Sequence, residues 1–420
     1  MVDLDVGQPE FSVPGLLTLT SVTSPTFGPP YSHVVRRSDG EESGNEQLSA
    51  RFMGDVTPRQ EPVAYLRAAL SLLAEHARLS AMSAAPIPLV INTLGWVKGM
   101  GLELLLELLR RSVPTHIVQM QWPGRADGSR NLPPLLASTV WGEDFSGNHK
   151  AALAGAQAAP PPPVPCFAPE LLGLEAPQFP THYASVFSVN CAAAAVAVDS
   201  AASSAAATHA SWSGGPVQLG AKDSRALSQM AYFLPASRNT GDSDSESRNL
   251  PVVTPLVSQF PYCVHWNQVA LHPHLACADV ANEQLLFAFN GAIVGLLAAD
   301  DLCDVDNDVD DARVTDVNGS GLRVVRRGVD VSARDCVGLG VLRAIDTDAA
   351  VYYVLTPVPP ERLARVNVLA KGSMELPMVL LMQGSIGDGP YMTSHFQSTS
   401  ASGAGARSTR RSVKRRKDAH

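Results

Sequence analysis

An α/β fold, a parallel sheet with helices followed by a β-rich C-terminal domain, is predicted by three observations on this 420-residue chain. From Asp3 to about Met120, short apolar strands alternate with amphipathic helical patterns, the signature of a parallel sheet with helical crossovers. Polar residues interrupt the apolar runs where the strands end, Asp3 and Asp5 in one case and Asn92 and Thr93 in another, which places them on one edge of the sheet. From about Val264 onward the pattern changes to short β-rich runs. With 45% hydrophobic and 17% charged residues, the composition is that of an ordinary globular protein and excludes disorder throughout.

In chain order, a strand ends at Asp3-Leu4-Asp5, followed by a strand Leu16 to Thr20 and a helix from about Glu61 to Arg78. A strand Leu89 to Asn92, a helix from about Leu102 to Arg110 and a strand His116 to Met120 complete the first domain. Between about 140 and 255 the chain is biased: Pro160 to Pro163, an Ala/Ser stretch from Ala192 to Ala210 and a polar run Asn239 to Asn249 are loop compositions, with one short helix expected over Ser224 to Leu234. In the C-terminal region, Phe287 to Val294 carries the hairpin signal Asn290-Gly291. Val351 to Leu355, Val366 to Ala370 and Met378 to Met382 extend the series, and a β-sandwich or barrel is expected. The resulting division is 1–135, 136–260 (a lid or linker insert), 261–395 and a basic tail 396–420.

The formal net charge of -8 hides an asymmetry, because Arg407, Arg410, Arg411, Lys414, Arg415, Arg416 and Lys417 crowd the end of the chain and leave the body acidic. An acidic body argues against a protein that coats nucleic acid over its whole surface, while a local basic groove for a strand end stays open. The tail reads as a nuclear or nucleolar address, as an RNA-contacting arm, or as a solubilising extension. Its Gly/Ser-rich spacer, Ser398 to Gly405, makes it an accessible arm in each case. The six cysteines are scattered without a C-x-x-C pair, so neither a zinc knuckle nor a disulfide framework is indicated and a reducing compartment fits. No apolar run reaches the roughly 18 to 20 residues needed to span a bilayer, and no signal peptide is read.

A D-x-D alone is common in solvated loops. Here it ends an apolar strand and is followed by Gly7-Gln8, Glu10-Phe11 and Pro14-Gly15, which is how a phosphoryl-transfer enzyme aims carboxylates at magnesium and at a nucleophile. The second cluster, Asn92 to Gly101, lies between a strand and a helix; its glycines let a ligand approach the backbone, and Trp96 is either a base-stacking platform or a core residue at a helix start. Asp304 to Thr315 begins like a calcium loop, yet Val309 and Thr315 replace the glycine and glutamate such a loop needs, so it reads as a solvated acidic loop. His272, His274 and Cys277 lack a fourth ligand at suitable spacing and read as structural.

The stretches DLDVGQPEFSVPG (from Asp3), GPPYSHV (Gly28 to Val34), RFMGDVTP (Arg51 to Pro58) and PLVINTLGWVKGMG (Pro88 to Gly101) resemble the polynucleotide 5′-hydroxyl kinases, a P-loop family. NQVALH (Asn267 to His272), CVGLGVLRAID (Cys336 to Asp346) and YYVLTPVPPERLARVNVL (Tyr352 to Leu369) resemble its nucleolar branch, which acts in pre-ribosomal RNA processing. The resemblance implies transfer of the γ-phosphate of ATP to the 5′-hydroxyl of RNA or DNA with Mg2+. It implies Asp3 in the magnesium shell, Asp5 as the group that orients or deprotonates the hydroxyl, Gln8 at the substrate end, and Thr93, Gly95 and Trp96 as the nucleic-acid clasp. It further implies a nuclear, nucleolar location and a protein partner in a processing complex.

Two departures shape the expectation. No G-x-x-x-x-G-K-[ST] occurs in the 420 residues, so no seat for ATP is evident. The R-x-x-x-R lid of the family is not found in the insert; Lys222 with Arg225 is a weak substitute, and Arg323 to Arg327 has the spacing in the other domain. Only Met1 and Val2 precede Asp3, so the chain is read as an N-terminally incomplete, inactive piece of such a kinase, its P-loop sheet truncated. The rival readings are a true pseudokinase and a non-catalytic RNA-processing scaffold that binds a partner ribonuclease.

Overall fold

The computed structural model describes residues 1–35, 44–121, 132, 135, 185–190, 219–234, 236–237, 252–273, 280–303, 313–377 and 380. The N-terminal sheet is built from β1 (Val2–Asp3), β2 (Leu16–Val22), β3 (Asn45–Phe52) and β4 (Ile91–Asn92) in the order β3-β2-β1-β4. β1 runs parallel to β4, with Val2 opposite Ile91 and Asp3 opposite Asn92. The ladder continues on both sides, as Val2 N–H donates to Val90 O at 2.8 Å and Leu4 N–H to Asn92 O at 2.9 Å.

The expected parallel pairing holds at β1–β4 and again between β5 (His116–Gln121) and β6 (Ser185–Asn190). The strand expected at Leu16 to Thr20 is present, but it is antiparallel to β1. Chain length is the reason. A parallel crossover consumes about a dozen or more residues, usually a helix, whereas residues 4–15 are coiled around the Asp3 carboxylate and return directly.

β3, antiparallel to β2, has no apolar period to betray it. Asn45, Gln47, Ser49 and Arg51 alternate along it and are all buried. That polar face is satisfied locally: Asn45 Oδ1 accepts the amides of Thr23 and Ser24 at 3.0 and 3.2 Å, and Arg51 donates to Ser49 Oγ, Ala50 O and Ser71 Oγ at 2.7 to 2.8 Å. Against this sheet pack α1 (Pro62–Met82) and α2 (Met100–Ser112), each longer than the sequence pattern indicates. Tyr65, Leu66, Ala69 and Leu72 form a stripe at three- and four-residue spacing that meets Leu4, Leu17, Leu19, Leu104 and Leu108. The expected short helix is α3 (Ala221–Phe233).

The C-terminal region is one eight-stranded mixed sheet in place of the expected sandwich or barrel. Its strands are β9 (Tyr262–His265), β10 (Ala270–His272), β11 (Ile293–Ala298), β12 (Val314–Asp316), β13 (Arg323–Val325), β14 (Asp335–Asp346), β15 (Val351–Leu355) and β16 (Val368–Lys371), in the order β12-β13-β10-β16-β11-β14-β15-β9. The preceding β7 (Ala236–Ser237) and β8 (Val252–Val253) make a separate antiparallel pair. A second sheet of its own is unnecessary because both faces are already covered. Ile293, Leu297, Leu339, Val341 and Val368 pack on Leu16, Ala50 and Phe52 of the N-terminal sheet and on Tyr232 and Phe233 of α3. Val294, Leu296, Tyr352 and Leu369 pack on Leu285 and Phe289.

Those last two residues also explain why no hairpin forms at Asn290-Gly291. Leu285 and Phe289, four apart and fully buried, put residues 285–289 in a short helix, α4 (Leu285–Phe289). Gly291, at φ +74°, then turns the chain into β11. The acidic loop begins in α5 (Asp300–Cys303), and its remaining aspartates lie outside the described residues. So do most of the biased insert, His274, Cys277, the strand expected at Met378 to Met382 apart from Leu380, and the basic tail.

The two sheets meet where backbone touches backbone. Ser373 and Met374 donate their amides to Gly54 O at 2.8 and 3.2 Å, and Ser373 Oγ donates to Asp55 Oδ2 at 2.7 Å. A Cβ on Gly54 would lie 2.7 Å from Gly372 Cα, and Gly54 has φ +66°. Charged pairs flank the junction: Arg67 lies 2.7 Å from Asp330, and Arg51 lies 3.6 Å from Asp335. Gly54→Ala introduces both a left-handed alanine and a clash with backbone that cannot swing away, so a loss of about 2 to 4 kcal/mol is expected. Urea denaturation checks this as a lowered midpoint at unchanged slope; a midpoint within about 0.5 kcal/mol of wild type would show that the junction yields.

Candidate active site at the ends of the parallel strands

The loop after β1 is organised by two carboxylates with different work. Asp3 is 1% exposed. Its Oδ1 accepts the Asn92 side-chain amide at 3.0 Å and the Asp5 N–H at 3.2 Å, and its Oδ2 accepts the Glu10 N–H at 2.6 Å. One carboxylate thus joins β1, the far side of the loop and the end of β4. Asp5, half-buried, uses Oδ1 to accept the amides of Gly7 and Gln8 at 2.9 and 3.0 Å, while its Oδ2 accepts no hydrogen bond from the described residues. Of the two aspartates, Asp5 is therefore the one with a carboxylate oxygen left open among the described residues.

Neighbouring segments hold this loop from behind. Fully buried Tyr65 of α1 donates its hydroxyl to Leu4 O at 3.0 Å. Gly7 sits so close to the chain after β3 that a Cβ would lie 2.9 Å from Val56 O. His33 Nε2 lies 2.9 Å from Glu10 Oε1, and its ring centroid is 5.5 Å from that of Phe11. Gln8 is exposed at the loop tip.

Burial raises the Asp3 carboxyl to about 6, against the opposing pull of its hydrogen bonds from Glu10, Asn92 and Asp5 and with a smaller push from the Asp5 charge. Burial likewise raises the Tyr65 phenol, helped by Asp5 and Asp3. Glu61, at the start of α1, is raised by burial and by the charges of Asp330 and Asp55.

The second cluster stands at the adjacent strand end. Thr93 is half-buried and Gly95 exposed, with open space where a Cβ would be. Trp96 is half-buried, and Gly101 at the start of α2 packs so tightly on it that a Cβ would overlap its carbonyl and ring. The Arg59 guanidinium lies 5.7 Å from the ring centroid. The tryptophan therefore answers both descriptions offered by its sequence position: it supports the helix start, and it presents a ring at the surface.

The structure thus brings Asp3, Asp5, Gln8, Thr93, Gly95 and Trp96 to the carboxyl ends of two neighbouring parallel strands. Asn92, Tyr65, Glu10, His33 and Arg59 are additions that sequence reading did not single out as site residues. Glu10, His33 and Asn92 lie within motifs quoted above. Tyr65 looks like any helix-stripe residue, and Arg59 like any surface arginine. Among the described residues, no group of three or more His, Cys, Asp or Glu is placed to hold a metal ion by itself. Magnesium commonly keeps its waters and uses one or two carboxylates plus substrate phosphates. Both oxygens of Asp3 are hydrogen-bonded within the loop in this geometry, so a magnesium ion here would be held mainly by its waters and the substrate phosphates.

The carboxyl ends of parallel strands are where open α/β sheets bind their ligands, and the fold places the chain in that α/β class. Residues 1–129 match the family model described as mRNA cleavage and polyadenylation factor CLP1 P-loop, and residues 257–377 match NOL9-like, C-terminal domain. The chain is 28% identical over 412 residues to polynucleotide 5′-hydroxyl-kinase NOL9 of Homo sapiens, covering 94% of this chain and 48% of the relative. The Danio rerio protein of that name is 29% identical, with 96% and 46% covered, and the Arabidopsis thaliana one 27%, with 90% and 78% covered. The chain spans about half the length of the human and fish relatives. A solved Clp1p–Pcf11p complex aligns at TM-score 0.46 and 13% identity, over 89% of this chain and 67% of the other. The chain is thus similar over most of its length to polynucleotide 5′-hydroxyl kinases, its first part matching a CLP1 P-loop model and its C-terminal part a NOL9-like domain model.

The raised Asp3 pKa predicts a pH signature in metal-free protein. Unfolded, the group titrates near 3.8; folded, near 6. Its contribution to stability is fully present below about pH 3.8 and is lost as pH rises through about 6, by on the order of 2 to 3 kcal/mol. Asp3→Asn removes three accepted bonds' best geometry but cannot ionise. Its deficit relative to wild type, measured by urea unfolding, is expected to shrink between pH 4.5 and pH 7.5; a deficit constant with pH would refute the assignment.

Proposed function

We propose that this polypeptide contributes the acid loop and the nucleic-acid clasp of a polynucleotide 5′-hydroxyl kinase that moves the γ-phosphate of ATP to the 5′-hydroxyl of RNA, or of DNA, in ribosomal RNA processing. One observation carries the reading: the free oxygen of Asp5 and the surface ring of Trp96 stand at the ends of adjacent strands, in a chain similar to such kinases.

In this reading Asp5 Oδ2 accepts the proton of the 5′-hydroxyl, or the hydrogen bond that orients it, while Oδ1 stays tied to the loop amides. Asp3 keeps the loop in register, Gln8 meets the substrate end, and Thr93, Gly95 and Trp96 hold the first nucleotides, the open space over Gly95 admitting the strand. Magnesium bound with ATP supplies neutralisation of charge developing on the phosphoryl group. The 420 residues contain no G-x-x-x-x-G-K-[ST], and no phosphate cradle is assigned to them in this reading. A nucleolar location and a protein partner in a pre-ribosomal RNA complex belong to the same reading, the first motivated by the basic tail and both by the resemblance.

The test is transfer of labelled phosphate from ATP to a 5′-hydroxyl RNA by a full-length polypeptide that includes this chain. Asp5→Asn retains an oxygen for the Gly7 and Gln8 amides and so is expected to fold, yet to lose transfer by about 100-fold or more. Near-normal transfer would sink the role of Asp5. A wild-type protein that binds RNA but neither binds ATP nor transfers phosphate would be the non-catalytic scaffold instead.

A further inference from the structure

The acid loop and the turn behind it carry Asp3, Asp5, Asp55 and Glu61, an acidity that opposes an entering polyanion. A cation must stand at the entrance, and Arg59 has the attributes. It is exposed and, among the described residues, forms no ion pair or hydrogen bond of its side chain. That freedom is notable given its neighbours. Asp55 is engaged by Ser373 Oγ and the Thr57 N–H, and neither Asp55 nor Glu61 pairs with the guanidinium among the described residues. The guanidinium N–H groups are therefore not taken up by a local ion pair.

Its placement is set by backbone. Val56 O abuts Gly7 of the acid loop, and Glu61 N–H donates to Pro58 O at 3.1 Å, so Arg59 leaves the turn that supports the loop from behind. From there its guanidinium reaches the Trp96 ring. A guanidinium lying against an aromatic ring still has its in-plane N–H groups free, and those match the oxygens of a phosphodiester. Lys98, two residues beyond the ring, is also exposed and unpaired among the described residues.

We propose that Arg59 and Trp96 form one clamp for the strand entering the site, the guanidinium binding a phosphodiester oxygen near the 5′ end while the ring meets the adjoining base. The inference rests on the reading of this site as a polynucleotide kinase and adds to it the residue that overcomes the site's own acidity.

The experiment is fluorescence anisotropy of a single-stranded 5′-hydroxyl RNA oligonucleotide with wild type, Arg59→Ala and Arg59→Lys over a range of KCl concentrations, with thermal midpoints measured alongside. Loss of one phosphate contact is expected to weaken binding about tenfold at low salt and to flatten the log–log salt dependence by about 0.7. Arg59→Lys should retain the wild-type slope and recover part of the affinity. Arg59→Ala matching wild type in affinity and slope would overturn the clamp while leaving the site reading in place, as would weaker binding at an unchanged slope, the mark of a merely structural role. A wild-type chain that binds no RNA would remove the site reading and the clamp together.

Discussion

The Asp3 carboxylate is the constraint on which the site depends. A buried carboxylate is costly unless its oxygens are hydrogen-bonded, and the chain meets that demand with donors from three places: the next turn, the far side of the loop, and the neighbouring strand. The same bonds prevent residues 4–15 from forming a helical crossover. They give the sheet its antiparallel second strand and leave Asp5 at the rim with one oxygen uncommitted. Two aspartates two residues apart thus differ: one is taken up entirely by the loop, and the other keeps an oxygen open.

Behind the loop lies a relay of close backbone contacts that reaches the C-terminal sheet. Gly15 accepts the amides of Met53 and Gly54 at 2.9 and 3.1 Å, Gly7 rests on Val56, and Gly54 rests on Gly372 and accepts the amides that follow it. With Phe52 lying over Gly295 in a shared core, the C-terminal sheet is a backing plate for the acid loop. Interiors this dense do not absorb small displacements, so the position of Asp5 is coupled to packing made by residues more than 300 positions away in the chain.

Much of the site was legible because its signals are local. A strand that ends in Asp3-Leu4-Asp5, and a strand that ends in Asn92 before a glycine-flanked tryptophan, place their polar residues on one sheet edge by the strand period alone. The resemblance of those stretches to a kinase family agrees with the relatives and domain models that the chain matches. The division of labour between Asp3 and Asp5 was not legible. It depends on which carboxylate faces inward toward Asn92 and Glu10, and that is a matter of strand pairing and loop return, not of residue type.

The sequence by itself determined the α/β character, the β-rich second half and the two motifs of the site, because apolar periodicity and strand-end residues act within a few positions of one another. Tertiary structure decided the rest. β3 is a strand because neighbours satisfy its buried polar face; Asn290-Gly291 closes no hairpin because Leu285 and Phe289 find a core; and the C-terminal strands form one sheet because the N-terminal sheet already covers it. Each outcome turns on free energy gained between segments far apart in the chain, which no local pattern records.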